Sequence, residues 1–279
     1  MSAWIVALVL STAVFHAGWN AVLRHSRDRL LATAMIALGG AAVAAMFLPF
    51  LPWPGRPSLP FMLASFALHT VYRLLLIFVY RWGELGVVYP IARGSAPLLV
   101  TGAAAIFAGE HLSVPALGAI AVISLGILTL SQSHLATAPP RALVIAVATG
   151  AVIAGYSVVD GMGARRAASA FSYAFWLEAT ECLPWIFVLL ARRGAPRGQG
   201  AMGETWRAIT GGAVSILAYA LVVWAMTQGP LGIVSALRET SVVFAALIGW
   251  LFLGERLTWR RLLTCCGIAV GIVMLGLLR

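Results

Sequence analysis

Residues Ile91–Leu130, IARGSAPLLVTGAAAIFAGEHLSVPALGAIAVISLGILTL, lie over Ala236–Leu275, ALRETSVVFAALIGWLFLGERLTWRRLLTCCGIAVGIVML, without a gap. At this constant offset of 145 residues Arg93 meets Arg238, Phe107 meets Phe252, Gly109-Glu110 meets Gly254-Glu255, Leu112 meets Leu257 and Gly126 meets Gly271. An internal repeat in an apolar chain points to a duplicated membrane protein whose halves enclose a site between them. The Arg shared by both copies marks where that site is expected.

The composition agrees. Of 279 residues 61% are hydrophobic and 10% charged, with a mean hydropathy of +0.95, so there is too little polar surface to cover one soluble core. The bilayer must act as solvent for most of the chain. A formal charge of +10 would suggest nucleic acid in a soluble domain. Here every basic residue is Arg and most sit at the ends of apolar runs, so they read as topology signals and no nucleic-acid partner is expected. Cys182, Cys265 and Cys266 lie in apolar segments without His or acids at ligand spacing, so they read as core residues, and neither a metal nor another cofactor is expected. The first apolar segment lacks a basic leader and a small-residue cleavage site, and is expected to be the first span.

Hydropathy predicts an all-α membrane protein with ten transmembrane helices, near 3–23, 30–51, 60–81, 86–108, 113–132, 142–163, 169–191, 206–228, 231–253 and 259–278. Each is long enough for a hydrocarbon core of roughly 30 Å at about 1.5 Å per residue. Five spans per copy is an odd number, so the second copy must enter from the opposite side. The prediction is two inverted five-helix repeats, 1–138 and 139–279, meeting near Ala138-Pro139-Pro140. Weaker echoes agree: Ala17-Gly18-Trp19-Asn20 resembles Ala154-Gly155-Tyr156-Ser157, and Gly83-x-x-Gly86 resembles Gly229-x-x-Gly232. Twelve Arg fall on the face carrying the odd-numbered loops and four on the face with both termini, which places the termini outside the cytoplasm of a multi-pass inner-membrane protein.

Arg73, Arg93 and Arg238 remain at membrane depth, where a charge costs at least about 2.5 kcal/mol and must face protein or a wet cavity. Glu178 and Glu181 share a face of the seventh predicted span, and Glu239 follows Arg238. These six can neutralise one another as buried pairs, or the Arg can bind a substrate anion while Glu178, Glu181, Glu239 and His16 carry coupling protons. His16 and Asn20 share one face of the first span, with Trp19 beside them; Tyr72, Tyr156, Tyr219 and Trp224 are further candidates for lining a cavity. Individually, such aromatics are more often packing or interfacial residues, and a lone His is more often an interhelical hydrogen bonder. Asp160 is expected to meet Arg165 or Arg166. Pro90 and Pro97 flank Arg93 and Pro184 follows the two Glu, so unwinding is expected near Arg93. Gly267-x-x-x-Gly271 suits either internal packing or a dimer face, which leaves monomer and homodimer open.

The span count, the repeat and Gly-Glu-x-Leu after predicted spans 4 and 9 resemble the EamA family of the drug/metabolite transporter superfamily. His16-Ala17-Gly18-Trp19-Asn20, Tyr89-Pro90-Ile91-Ala92-Arg93-Gly94-Ser95-Ala96-Pro97 and Leu237-Arg238-Glu239-Thr240-Ser241 resemble motifs of one subgroup, some members of which are associated with phosphonate utilisation. The resemblance implies alternating access around a cavity lined by spans 1, 3, 4, 6, 8 and 9, with spans 5 and 10 peripheral. It also implies cytoplasmic termini, against the Arg count.

The functional expectation is a secondary active transporter for a small anionic or zwitterionic metabolite such as an amino acid, aminophosphonate or organic acid, with protons as the candidate coupling ion. Arg93 and Arg238, with Arg73 nearby, would hold the anionic group. The alternatives are an exporter of amphipathic or cationic compounds, in which the Arg are locked in salt bridges, and a lipid flippase. An intramembrane enzyme would need a nucleophile with its base or a metal motif, and the sequence offers no such constellation.

Overall fold

The computed structural model describes residues 1–24, 29–82, 85–131, 138–191, 201–253 and 258–277, and among them all regular structure is helical. The first half holds α1 (Ala3–Arg24), α2 (Arg29–Phe47), α3 (Leu59–Trp82), α4 (Leu85–Phe107) and α5 (Val114–Leu128). The second holds α6 (Pro140–Ala164), α7 (Ala170–Glu181), α8 (Leu183–Ala191), α9 (Ala201–Gln228), α10 (Leu231–Glu239), α11 (Ser241–Leu253) and α12 (Trp259–Leu277). Five of the ten expected spans meet membrane-crossing length and apolarity within the described residues: Leu30–Phe50, Val88–Phe107, Pro140–Ala164, Ala170–Ala191 and Thr205–Gln228. Ala3–Ala17, Val114–Leu128 and Arg261–Leu277 are apolar but shorter.

Two predicted helices are broken. The seventh divides at Cys182, because Pro184 lacks an N–H and its ring crowds the Thr180 carbonyl one turn back. The ninth divides at Thr240, where both the hydroxyl (2.6 Å) and the N–H (3.3 Å) of Thr240 donate to the Leu237 carbonyl and tighten the turn. The unwinding expected near Arg93 does not occur. Helix α4 runs on through Pro90 and Pro97, and the Pro97 carbonyl accepts from the Thr101 hydroxyl at 2.8 Å.

The halves interlock. Helix α1 packs on α9, α10 and α11, while α6 packs on α3 and α4; α2 lies against α7 and α9, and α5 against α12. Helices in lipid gain little from the hydrophobic effect, so close contact depends on small residues. Gly39 and Gly212 supply it between α2 and α9: a side chain at Gly39 would strike the Ile209 backbone, and one at Gly212 the Ile36 backbone. Gly271 packs on α5, with its Cβ position 3.1 Å from the Ala119 carbonyl, whereas Gly267 faces open space. Of the two roles left open for Gly267-x-x-x-Gly271, Gly271 therefore serves internal packing.

The first Gly-Glu-x-Leu has a local explanation. Gly109 adopts φ 66°, in the left-handed region that ends helices cheaply only for glycine, and the Glu110 N–H returns to the Ala104 carbonyl at 3.1 Å. The turn delivers the Glu110 carboxylate to Arg165 Nη2 at 2.7 Å and to the Leu231 N–H, in the first turn of α10, at 2.8 Å. A carboxylate there suits the positive end of the helix dipole. Arg165 completes the latch by donating to the carbonyls of Met226 (3.0 Å) and Gly229 (2.8 Å). Leu112 packs into the apolar layer between α5 and α12. The second copy, Gly254-Glu255, lies outside the described residues, as does Gly83.

Candidate functional site

Two buried polar clusters meet in the middle of the bundle. In the first, one carboxylate serves both repeated Arg. Glu239, from the end of α10, accepts through Oε1 from Arg93 Nη1 on α4 at 3.1 Å and from the Nη2 and Nε of Arg238 at 3.1 and 3.2 Å, while its Oε2 lies 2.8 Å from Arg93 Nη1 as an ion pair. Arg93 also donates from Nε to the Tyr89 hydroxyl at 3.2 Å and from Nη2 to His16 Nε2 on α1. Guanidinium groups only donate, so the His16 imidazole accepts here. Arg238 donates to the Ser157 hydroxyl at 3.3 Å and lies 5.6 Å above the Tyr156 ring.

Glu239 has no acidic counterpart in the first half, and the packing says why. At the repeat offset its partner is Gly94, where an added Cβ would come within 2.7 Å of Leu128 Cγ and 3.1 Å of the Ser124 carbonyl. The basic position recurs because both copies can reach one shared acid. A second acid would not fit.

The second cluster surrounds Arg73 on α3. Its Nη2 lies 2.8 Å from Glu181 and 3.9 Å from Glu178, both on α7, and the Glu178 carboxylate rests against Gly40 of α2. His69, one turn before Arg73, places Nδ1 3.2 Å from Glu181 Oε1 and 3.1 Å from the Ser65 carbonyl. The His69 ring stacks on Tyr156 with centroids 4.1 Å apart, and Tyr72 meets Tyr156 edge-on at 5.6 Å. Tyr156 therefore touches both clusters, with Arg238 on one side and His69 on the other.

Asp160 corrects a sequence expectation. It pairs with neither Arg165 nor Arg166; it accepts from the hydroxyls of Tyr173 at 3.1 Å and Tyr219 at 2.8 Å. Five residues along a helix is not a same-face spacing, and Arg165 caps α6 and turns to Glu110 instead. Arg166 donates to the Met162 carbonyl and lies over Phe61.

Of the residues singled out in the sequence, Arg73, Arg93, Arg238, Glu178, Glu181, Glu239, His16, Tyr72, Tyr156 and Tyr219 are thus brought into this central layer. Trp224 is placed elsewhere, packed against Trp4 with ring centroids 5.2 Å apart. The side chains of Trp19 and Asn20 lie outside the described residues. Sequence reasoning passed over His69, Tyr89, Ser157 and Tyr173. A signal existed for the first two, since His69 and Tyr89 each stand four residues before a membrane-depth Arg and so share its helix face.

Residues 141–277 match the EamA-like transporter family. No curated protein matches the chain. A solved crystal structure, one of 28 matching chains, aligns over 99% of this chain and 96% of its own with a TM-score of 0.75. At 16% identity that likeness shows a shared fold. The chain is thus a helical protein with five helices long and apolar enough to cross a membrane among its described residues, and its residues 141–277 are similar to the EamA-like transporter family.

Proposed function

We propose that the chain is a secondary transporter of ten spans, arranged as two inverted halves, that moves a small zwitterionic or anionic metabolite of the amino-acid or aminophosphonate class by alternating access. The inverted arrangement is supported by contacts that the 145-residue offset exchanges. Gly126 faces Ile268 and the Thr264 carbonyl, while Gly271 faces Ile123 and the Ala119 carbonyl. A contact set that maps onto itself is what a two-fold relation produces. The exchange of α1 on α9 and α10 for α6 on α3 and α4 follows the same rule. The Glu110–Arg165 latch ties together the end that carries the N-terminus, and the Arg surplus on the opposite face supports reading that end as the one outside the cytoplasm.

One observation carries the substrate class. Arg93 and Arg238 against Glu239 leave one guanidinium charge in excess, and Arg73 against Glu178 and Glu181 leaves one carboxylate in excess. The two lie on either side of the Tyr156–His69 stack. A ligand with an acidic group at one end and an ammonium at the other complements both.

Counterflow of radiolabelled glycine and aminomethylphosphonate in proteoliposomes tests this. Arg238→Ala is expected to lower exchange by about tenfold or more, with Arg238→Lys keeping the charge and a folded protein while losing the fork geometry. Wild-type rates in both variants overturn it. The second reading, a carrier of lipophilic cations, is favoured by the engagement of all three Arg93 nitrogens with Tyr89, Glu239 and His16. It predicts ethidium transport that survives Arg238→Lys and fails in Glu178→Gln.

A further inference from the structure

Among the described residues Glu178, Glu181, Glu239 and Asp160 are the buried acids. The three Glu each have a guanidinium within salt-bridge distance: Arg73 for Glu178 at 3.9 Å and Glu181 at 2.8 Å, and Arg93 for Glu239 at 2.8 Å. Three guanidinium charges and three carboxylates balance. Asp160 is a fourth acid, 1% exposed, for which that balance leaves no cation.

What holds Asp160 is a pair of phenol hydroxyls from two helices. Tyr173 of α7 donates to Oδ1 and Tyr219 of α9 donates to Oδ2, while the Ser65 hydroxyl of α3 meets His69 Nδ1 at 3.0 Å. Beyond them stand His69 of α3, edge-on to Tyr219 at 5.7 Å, and Glu181 of α7, which His69 contacts. Arg238 of α10, across the packing, is engaged by Glu239 and by Ser157, one turn back on α6. Among the described residues no cation forms an ion pair with Asp160.

Such a site suits a proton. An ionised carboxylate without a counter-charge costs several kcal/mol in a low-dielectric interior, whereas its neutral acid has one O–H to donate and a carbonyl that accepts. A phenol can donate or accept. The pair can therefore hold the carboxylate with two donated hydrogen bonds, or hold the acid with one bond donated and one received, without moving a heavy atom. A metal cation is less well matched, since among the described residues no group of three His, Cys, Asp or Glu comes together to hold one.

We propose that Asp160, clamped between Tyr173 and Tyr219, is a proton-binding site that drives transport, distinct from the Arg-paired Glu178 and Glu181. The step is the addition of one proton to a carboxylate oxygen from the aqueous phase on one side and its loss to the other, with no other bond made or broken. It bears on the rest of the molecule because α6 also carries Tyr156 and Ser157, which touch Arg238. Neutralising Asp160 weakens its charge-assisted bonds to α7 and α9 and so loosens α6, which carries part of the Arg cluster. This rests on the chain being a transporter.

Two measurements separate the ideas. Infrared difference spectra of the purified protein between acidic and alkaline buffer need no substrate. A carbonyl-band component of a protonated carboxylic acid is expected in wild type, Glu178→Gln and Glu181→Gln, and is expected to be lost from the band in Asp160→Asn; an undiminished band in Asp160→Asn overturns the proposal. In proteoliposomes Asp160→Asn is expected to keep glycine or aminomethylphosphonate exchange while losing pH-gradient-driven accumulation by on the order of tenfold. Retained accumulation overturns the proposal, as does loss of exchange together with accumulation in a variant that melts like wild type. A wild-type protein that exchanges neither probe fails the transporter reading instead, and the infrared band still decides whether Asp160 takes the proton.

Discussion

Glu239 and Asp160 are buried to the same degree, 0% and 1% exposed, yet they are held in opposite ways. Glu239 lies between two guanidinium groups, one from each half of the chain. Asp160 lies among hydroxyls that accept either form. One bundle thus holds both an acid paired with guanidinium groups and an acid held by hydroxyls.

The largest break in this comparison should come from removing each acid. Glu239→Ala leaves Arg93 and Arg238 side by side with no shared carboxylate. Breaking one side of a buried ionic group costs about 3–5 kcal/mol, so a large fall in thermal stability in detergent is expected. Asp160→Asn orphans no charge, and the amide can accept from one phenol and donate to the other, so a change within about 1 kcal/mol is expected. Equal losses in the two variants would erase the distinction.

A middle-sized effect sharpens the phenol side. Tyr173→Phe and Tyr219→Phe each remove one donor to Asp160, and each should cost about 0.5–3 kcal/mol, the range spanned by neutral and charged hydrogen bonds. Tyr219, at 2.8 Å, should cost more than Tyr173, at 3.1 Å. Melting each variant with and without Asp160→Asn closes a double-mutant cycle. A coupling energy above about 0.5 kcal/mol is expected for Tyr219, and none would mean the phenol does not hold the acid.

How far the sequence carried these contrasts depended on whether the signal was local. Apolar runs fix the helices, and the repeat places Arg93 and Arg238 at matching positions; the pairing of three Arg with three Glu was among the readings the residues allowed. The shared use of one acid was not legible, because it depends on Leu128 filling the space beside Gly94. Closeness in the chain points Asp160 to Arg165 or Arg166, while its true partners are 13 and 59 residues away. Proline also misled. At Pro90 and Pro97 neighbouring helices support a continuous α4, whereas a break came at Thr240, where a hydroxyl rather than a proline competes for the backbone.

The smallest effect asks whether the two acids are independent. Ser157 stands three residues before Asp160 on α6, but its hydroxyl serves Arg238 at a long 3.3 Å. Arg238 keeps Glu239 when that contact is lost, so Ser157→Ala should cost at most about 0.5–1 kcal/mol. If Ser157 belongs only to the Arg cluster, its cost adds to that of Asp160→Asn within about 0.3–0.5 kcal/mol, the agreement found for unlinked sites. A larger deviation in melting would mean that Arg238, freed from Ser157, moves toward Asp160 and lends it a counter-charge. The two acids would then share one guanidinium, and the proton at Asp160 would be sensed directly by the Arg cluster rather than through the loosening of α6.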